Sequence, residues 1–167
     1  MRKSGFPAAI PTAIIVTCAG VLSVLSSIPM HAADDPLMGS WKLNPAKSSF
    51  YAGRPPKAWT NRYSPSGPNG LSCQSDRTSA RGETAHIEFN ASFDGSDFPL
   101  RGDPSRDAVS VKRVNAYAYI ANYKKAGEIV QRHYWVVSKD GKTLMISATG
   151  MSPDGELTHN LIVFDKQ

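Results

Sequence analysis

The chain lacks most of the features that would hand it a chemistry outright. Cysteine occurs twice in 167 residues, at Cys18 and Cys73, with no C-x-x-C, so neither a zinc knuckle nor a redox pair is written here. The four histidines stand at no metal-ligand spacing and H-E-x-x-H is absent, so no metal or cofactor is expected. The G-x-S-x-G elbow of a serine hydrolase is missing too, and no local nucleophile signature replaces it; no catalytic residue is assigned and no enzyme is expected. Charge is mildly one-sided, with 19 Lys and Arg against 14 Asp and Glu. No basic run alternates with aromatics as a nucleic-acid surface requires, so no nucleic-acid partner is expected. Beyond the N-terminal stretch, no long segment carries a 3.6-residue apolar period, which argues against a helical domain.

What is present begins with a leader. Arg2 and Lys3 precede the apolar run "AAIPTAIIVTCAGVLSVLSSI", and "PMHAADD" follows. Basic start, apolar middle and small-residue exit are the order of a secretory signal, here a signal helix over 1–32 with cleavage after Ala32 or Ala33. The expected location is periplasmic or secreted, with no membrane association once the signal is cut; retention as an anchor is the alternative. Loss of the leader removes Arg2, Lys3 and Cys18, leaving a charge of about +3 and Cys73 alone. An exported domain with one cysteine cannot staple itself and must rely on a packed core. Cys73 alternates with Leu71, so a buried, inert thiol is expected.

After a short link at 33–37, the domain at 38–167 reads as short alternating runs cut by turn residues, the pattern of an all-β fold. Ten strands are predicted, at 38–43, 58–64, 70–77, 84–93, 97–101, 108–114, 117–124, 128–138, 143–151 and 156–165. Asp94-Gly95, Asp140-Gly141 and Asp154-Gly155 supply the positive φ of tight hairpins, and Ala126-Gly127 and "SPSGPNG" serve the same role. Successive hairpins make an antiparallel up-and-down meander. Closure into a barrel removes its exposed edges, with a two-sheet sandwich as the alternative. Segment 44–58, with three prolines, is expected to be a connection without a full helix.

Alternation assigns the faces. Ala85, Ile87, Phe89 and Ala91 share one side against His86, Glu88 and Asn90. Val109 and Val111 lie with Arg113; Tyr117, Tyr119, Ala121 and Tyr123 lie together; Leu144, Ile146 and Ala148 form another set. His133 and His159 are expected at the surface or satisfied by neighbours. The inward tyrosines carry hydroxyls that want partners, so Phe89, Arg113, Tyr119 and Tyr123 are the candidate wall groups for a mostly apolar ligand with one polar handle.

Three pieces, "GSWKLNPAKSSF", "DPSRDAVSVKRVN" and "YKKAGEIVQRHYWVVSKDGKTLMISATGMSPDGELTHNLIVFDKQ", together resemble a group of small exported bacterial proteins described as lipocalin-like and of unestablished function. More distantly the chain is similar to the calycins, which include lipocalins and fatty-acid-binding proteins. That resemblance implies a barrel of about eight to ten strands with an internal apolar cavity. It also implies that Gly39 and Trp41 belong to the barrel floor, Trp41 as a plug. The Arg-x-Tyr ending of fatty-acid-binding proteins is absent, since Ile162 and Phe164 stand there, and the two-helix lid is not expected in the 44–58 segment.

Two functions of different class follow. The first is an exported barrel that binds or carries a small apolar or amphipathic molecule, a small hydrophobic ligand being its partner. The second is a filled barrel acting as an envelope interaction or inhibitor module through its loops, with an apolar patch near Leu161 and Val163. Oligomeric state has no signal in the sequence.

Overall fold

The structure, a computed structural model, describes residues 35–51, 54–151 and 157–167. The expected signal peptide and the Asp154-Gly155 hairpin lie outside the described residues. Ten strands follow one another: β1 (Gly39–Leu43), β2 (Ala58–Pro65), β3 (Gly70–Thr78), β4 (Thr84–Ser92), β5 (Asp94–Arg101), β6 (Ala108–Asn115), β7 (Ala118–Lys125), β8 (Glu128–Val137), β9 (Thr143–Met151) and β10 (Leu157–Lys166). Each pairs antiparallel with its sequence neighbour, and β1 also pairs with β10, so the sheet is a closed meander barrel. No sandwich forms, because closure gives every strand two partners.

The inward faces follow the alternation. Ile87, Phe89 and Ala91 of β4, Val109 and Val111 of β6, and Leu144, Ile146 and Ala148 of β9 are buried. Each fully buried aliphatic or aromatic side chain contributes about 1.5–3 kcal/mol relative to exposure. Tyr117 departs from its expected face. It sits in the turn before β7, half-exposed, with its backbone N–H held by the Asn115 side chain at 2.9 Å. On β10, Ile162 and Phe164 point inward.

Turn chemistry matches the hairpins in detail. Ala126 and Gly127 both have positive φ, 49° and 86°, as a two-residue turn of the primed type requires. Asp94-Gly95 does reverse the chain, but it opens the β5–β6 ladder across a register shift instead of closing a β4–β5 hairpin. Strands β4 and β5 pair only at Glu88–Arg101 and Phe89–Leu100.

Segment 44–51 continues along β10 beyond the end of β1. Asn44 N–H donates to the Val163 carbonyl at 2.8 Å, and Ser49 and Leu161 exchange backbone hydrogen bonds of 2.7 and 2.9 Å. The described part of this connection holds no helix. It covers Val163, which is 5% exposed. Val163 therefore leaves the expected apolar patch, whereas Leu161 stays exposed with Met145 and Leu157 near it on β9 and β10.

Candidate functional site

The barrel has a closed end and an open end. At the closed end, Trp41 is fully buried and donates its indole N–H to the Leu37 carbonyl at 2.8 Å. Lys166 lies over its outer face, 5.0 Å from the ring centroid, and donates to the Pro36 carbonyl at 3.1 Å. Gly39 has φ +123°, a backbone conformation that favours glycine, and a Cβ there would stand 3.0 Å from Cε of the Lys166 chain.

Two of the four candidate wall groups sit at this closed end. Arg113 and the Tyr119 hydroxyl both bond the buried carboxylate of Asp35. Arg113 also stacks on Phe93 at 4.2 Å. Burial, then the bond to Asp35, pushes the Tyr119 hydroxyl well above its ordinary pKa. Arg113 and Tyr119 are thus corrected from ligand contacts to structural partners of Asp35: the anion that a buried arginine demands is supplied by the chain itself. Asp35 carries no periodic signal in the sequence, being in the link before β1.

The other two, Phe89 and Tyr123, line a small void inside the barrel together with Trp59, Asn61, Tyr63, Cys73, Ser75 and His133. Its volume is about 30 Å³, room for a water or one small polar group. The walls are ordered by side-chain hydrogen bonds: the Trp59 indole N–H is shared between Asn61 Oδ1 at 3.0 Å and Ser75 Oγ at 2.8 Å. Burial holds the Cys73 thiol far above its usual pKa, so it stays protonated and unreactive.

His133 is the residue that the sequence reading misplaced. It is 5% exposed, lines the void and the mouth above it, and neither ring nitrogen has a hydrogen-bond partner among the described residues. Burial, reinforced by the nearby Arg106 charge, holds its pKa down to about 3. The ring is therefore neutral at physiological pH and offers one donor and one acceptor. Its ring lies 4.6 Å from that of Tyr123. Alternation with Trp135 and Val137 on β8 was the available signal that it faces inward.

Above the void the barrel opens into a mouth pocket of about 230 Å³. Phe50, Trp59 and Ile162 form its apolar floor and sides, and Arg54, Arg77 and Arg106 stand around it. A shallower shelf over Val130 and Met151 shares Arg77, Arg106 and Gln131 with this pocket. Two of the arginines rest on the aromatic walls: Arg77 lies 5.4 Å from the Trp59 ring and Arg106 4.6 Å from Tyr123. Arg106 is committed, with Nε on Asp103 Oδ2 at 2.7 Å and Nη1 on Gln131 Oε1 at 3.1 Å. Burial raises the Asp103 carboxyl, but Ser105 and Arg106 outweigh it and leave the group below its usual range. The Arg101-Gly102-Asp103 turn aims this carboxylate: Gly102 has φ +85°, and any Cβ would strike the His86 carbonyl at 1.8 Å.

The chain matches no family model and no curated protein. Among solved structures it is similar to a redesigned β barrel. The identity is 13%, the match covers 84% of this chain and 99% of that one, and the TM-score is 0.48. Arg77 makes no ion pair among the described residues. Its guanidinium is shifted downward by burial and then by Arg106. The open end thus has a cationic excess over an apolar, aromatic floor.

Proposed function

We propose that the chain is an exported small-molecule-binding barrel whose site is the mouth and the void beneath it. A small amphipathic molecule would lay its apolar body against Phe50, Trp59 and Ile162 and turn a polar group toward His133. The observation that carries this reading is His133, a buried neutral imidazole that lines an open pocket and whose two nitrogens have no partner among the described residues. An unpaired buried polar group costs about 1–3 kcal/mol, and a ligand that meets it recovers that cost. Export is supported by the order of basic, apolar and small residues over 1–32. Kinship with lipocalin-like proteins is supported by the Gly39-x-Trp41 opening and the closing segment.

The interior departs from a deep apolar cavity. Trp41, Tyr119, Trp135 and Phe164 are fully buried and occupy the core, so the ligand sits at the mouth instead of threading the barrel. The reading as an envelope interaction module gains from that filled core, but it loses the covered Val163.

Titration of the full chain with the neutral probe N-phenyl-1-naphthylamine tests the binding reading. Saturable one-to-one binding, weakened about tenfold by Trp59→Ala, is expected. Uptake that does not saturate, or that ignores Trp59→Ala, removes it.

A further inference from the structure

We infer that the mouth selects a compact aromatic carboxylate carrying a second hydrogen-bonding group at its far end, with Arg77 taking the carboxylate and His133 the second group. This rests on the mouth being the binding site and adds the ligand's class.

Charge is the first argument. Of the three arginines at the mouth, Arg106 has Asp103 as its counter-ion, whereas Arg77 forms no ion pair among the described residues and Arg54 is exposed at the rim. A desolvated guanidinium calls for an anion, and a carboxylate matches its fork with two parallel hydrogen bonds. Stacking on Trp59 holds the fork of Arg77 in place, which lowers the ordering cost of binding.

Size and shape are the second. The mouth itself, at about 230 Å³, lies below the roughly 300–1,000 Å³ of pockets for drug-sized ligands, and a shelf of about 440 Å³ adjoins it through Arg77, Arg106 and Gln131. The space beneath is about 30 Å³, too small for an alkyl chain and large enough for a hydroxyl or ring N–H. Trp59 and Phe50 present ring surface to a flat body, and offset or edge contacts between rings favour an aromatic one.

His133 supplies the third. Held neutral, it can accept from a hydroxyl or donate to a ring nitrogen without bringing a second positive charge. It lines the narrow space below the mouth together with Asn61, Ser75 and Tyr63, and neither ring nitrogen has a hydrogen-bond partner among the described residues. A ligand with its acid at one end and a hydroxyl at the other spans Arg77 and His133 at once.

The test uses the full chain and three matched probes, 2-naphthoate, 6-hydroxy-2-naphthoate and 2-naphthylmethanol, measured by calorimetry at low and high salt. The naphthoate is expected to bind about tenfold tighter than the alcohol, with the preference shrinking as salt rises. Arg77→Gln should abolish that preference and Arg77→Lys should keep part of it. The added hydroxyl should gain about fivefold, one neutral hydrogen bond, and His133→Phe should erase the gain while leaving 2-naphthoate bound. Equal affinity for acid and alcohol would overturn the carboxylate assignment while leaving the small-molecule reading intact. A hydroxyl gain that survives both His133→Phe and His133→Gln would overturn the role of His133. Laurate competing better than either naphthoate would overturn the compact aromatic class. If none of the three probes binds, the inference falls together with the reading on which it rests.

Discussion

The two ends of the barrel are built from the same three parts and put them to different use. At the closed end, Arg113, Asp35 and Tyr119 form a group in which both cation and hydroxyl are bonded to one buried carboxylate. At the open end, Arg106, Asp103 and Tyr123 come together again, but Tyr123 meets Arg106 with its ring face at 4.6 Å. The closed group pairs its charges internally and seals the floor, with Arg113 Nε left without a partner among the described residues. Among the described residues, the open group leaves its neighbour His133 without a hydrogen-bond partner and its neighbour Arg77 without an ion pair. The lesson is that the carboxylate's position decides the outcome: Asp35 enters from the chain before β1 and fills the floor, whereas Asp103 sits on a turn at the rim and leaves the space beneath it.

The largest test of this contrast removes the closed end's carboxylate. Asp35→Ala strands Arg113 and should cost about 3–5 kcal/mol, the usual penalty for breaking a buried ion pair from one side; urea unfolding measures it. A loss under about 1 kcal/mol would show that the floor does not depend on this charge.

Acid sensitivity separates the ends next. The His133 imidazole has a folded pKa of about 3 against 6.5 when unperturbed. Between those values the unfolded chain binds the proton that the folded chain refuses, so stability falls as pH falls through this window. The slope approaches about 1.4 kcal/mol per pH unit, and the effect is absent above about pH 6.5. His133→Phe should flatten this part of the pH profile of the unfolding midpoint. An unchanged profile would assign the acid response to other groups.

The smallest effect sharpens the contrast by pairing two identical substitutions. Tyr119→Phe deletes a hydrogen bond to a carboxylate and should cost about 1.5–3 kcal/mol, while Tyr123→Phe keeps the stacked ring and should cost less than about 1 kcal/mol. Thermal unfolding of the two variants side by side gives the comparison, and equal losses would erase it.

The fold was legible because period two and turn residues are local signals. The ten predicted strands overlap the ten observed, and the ends of β9 agree to the residue. The site was legible only in part. Phe89 and Tyr123 lie on regular strands, and alternation placed them inside. Arg113 and Tyr119 were equally well placed, yet their partner Asp35 lies in an aperiodic link where no pattern announces burial. Arg106 and Asp103 sit in the 102–107 turn, whose geometry depends on Gly102 passing close to β4. His133 was readable from Trp135 and Val137, which share its face of β8.

The seam between β1 and β10 has a consequence for how the molecule comes to exist. Trp41 faces Lys166 across that seam, so the first strand of the chain finds its second partner in the last. Early hairpins can form as the chain emerges, but the floor, the Lys166 cover over Trp41 and the circle itself wait for β10. Such distant pairings make a slow folder.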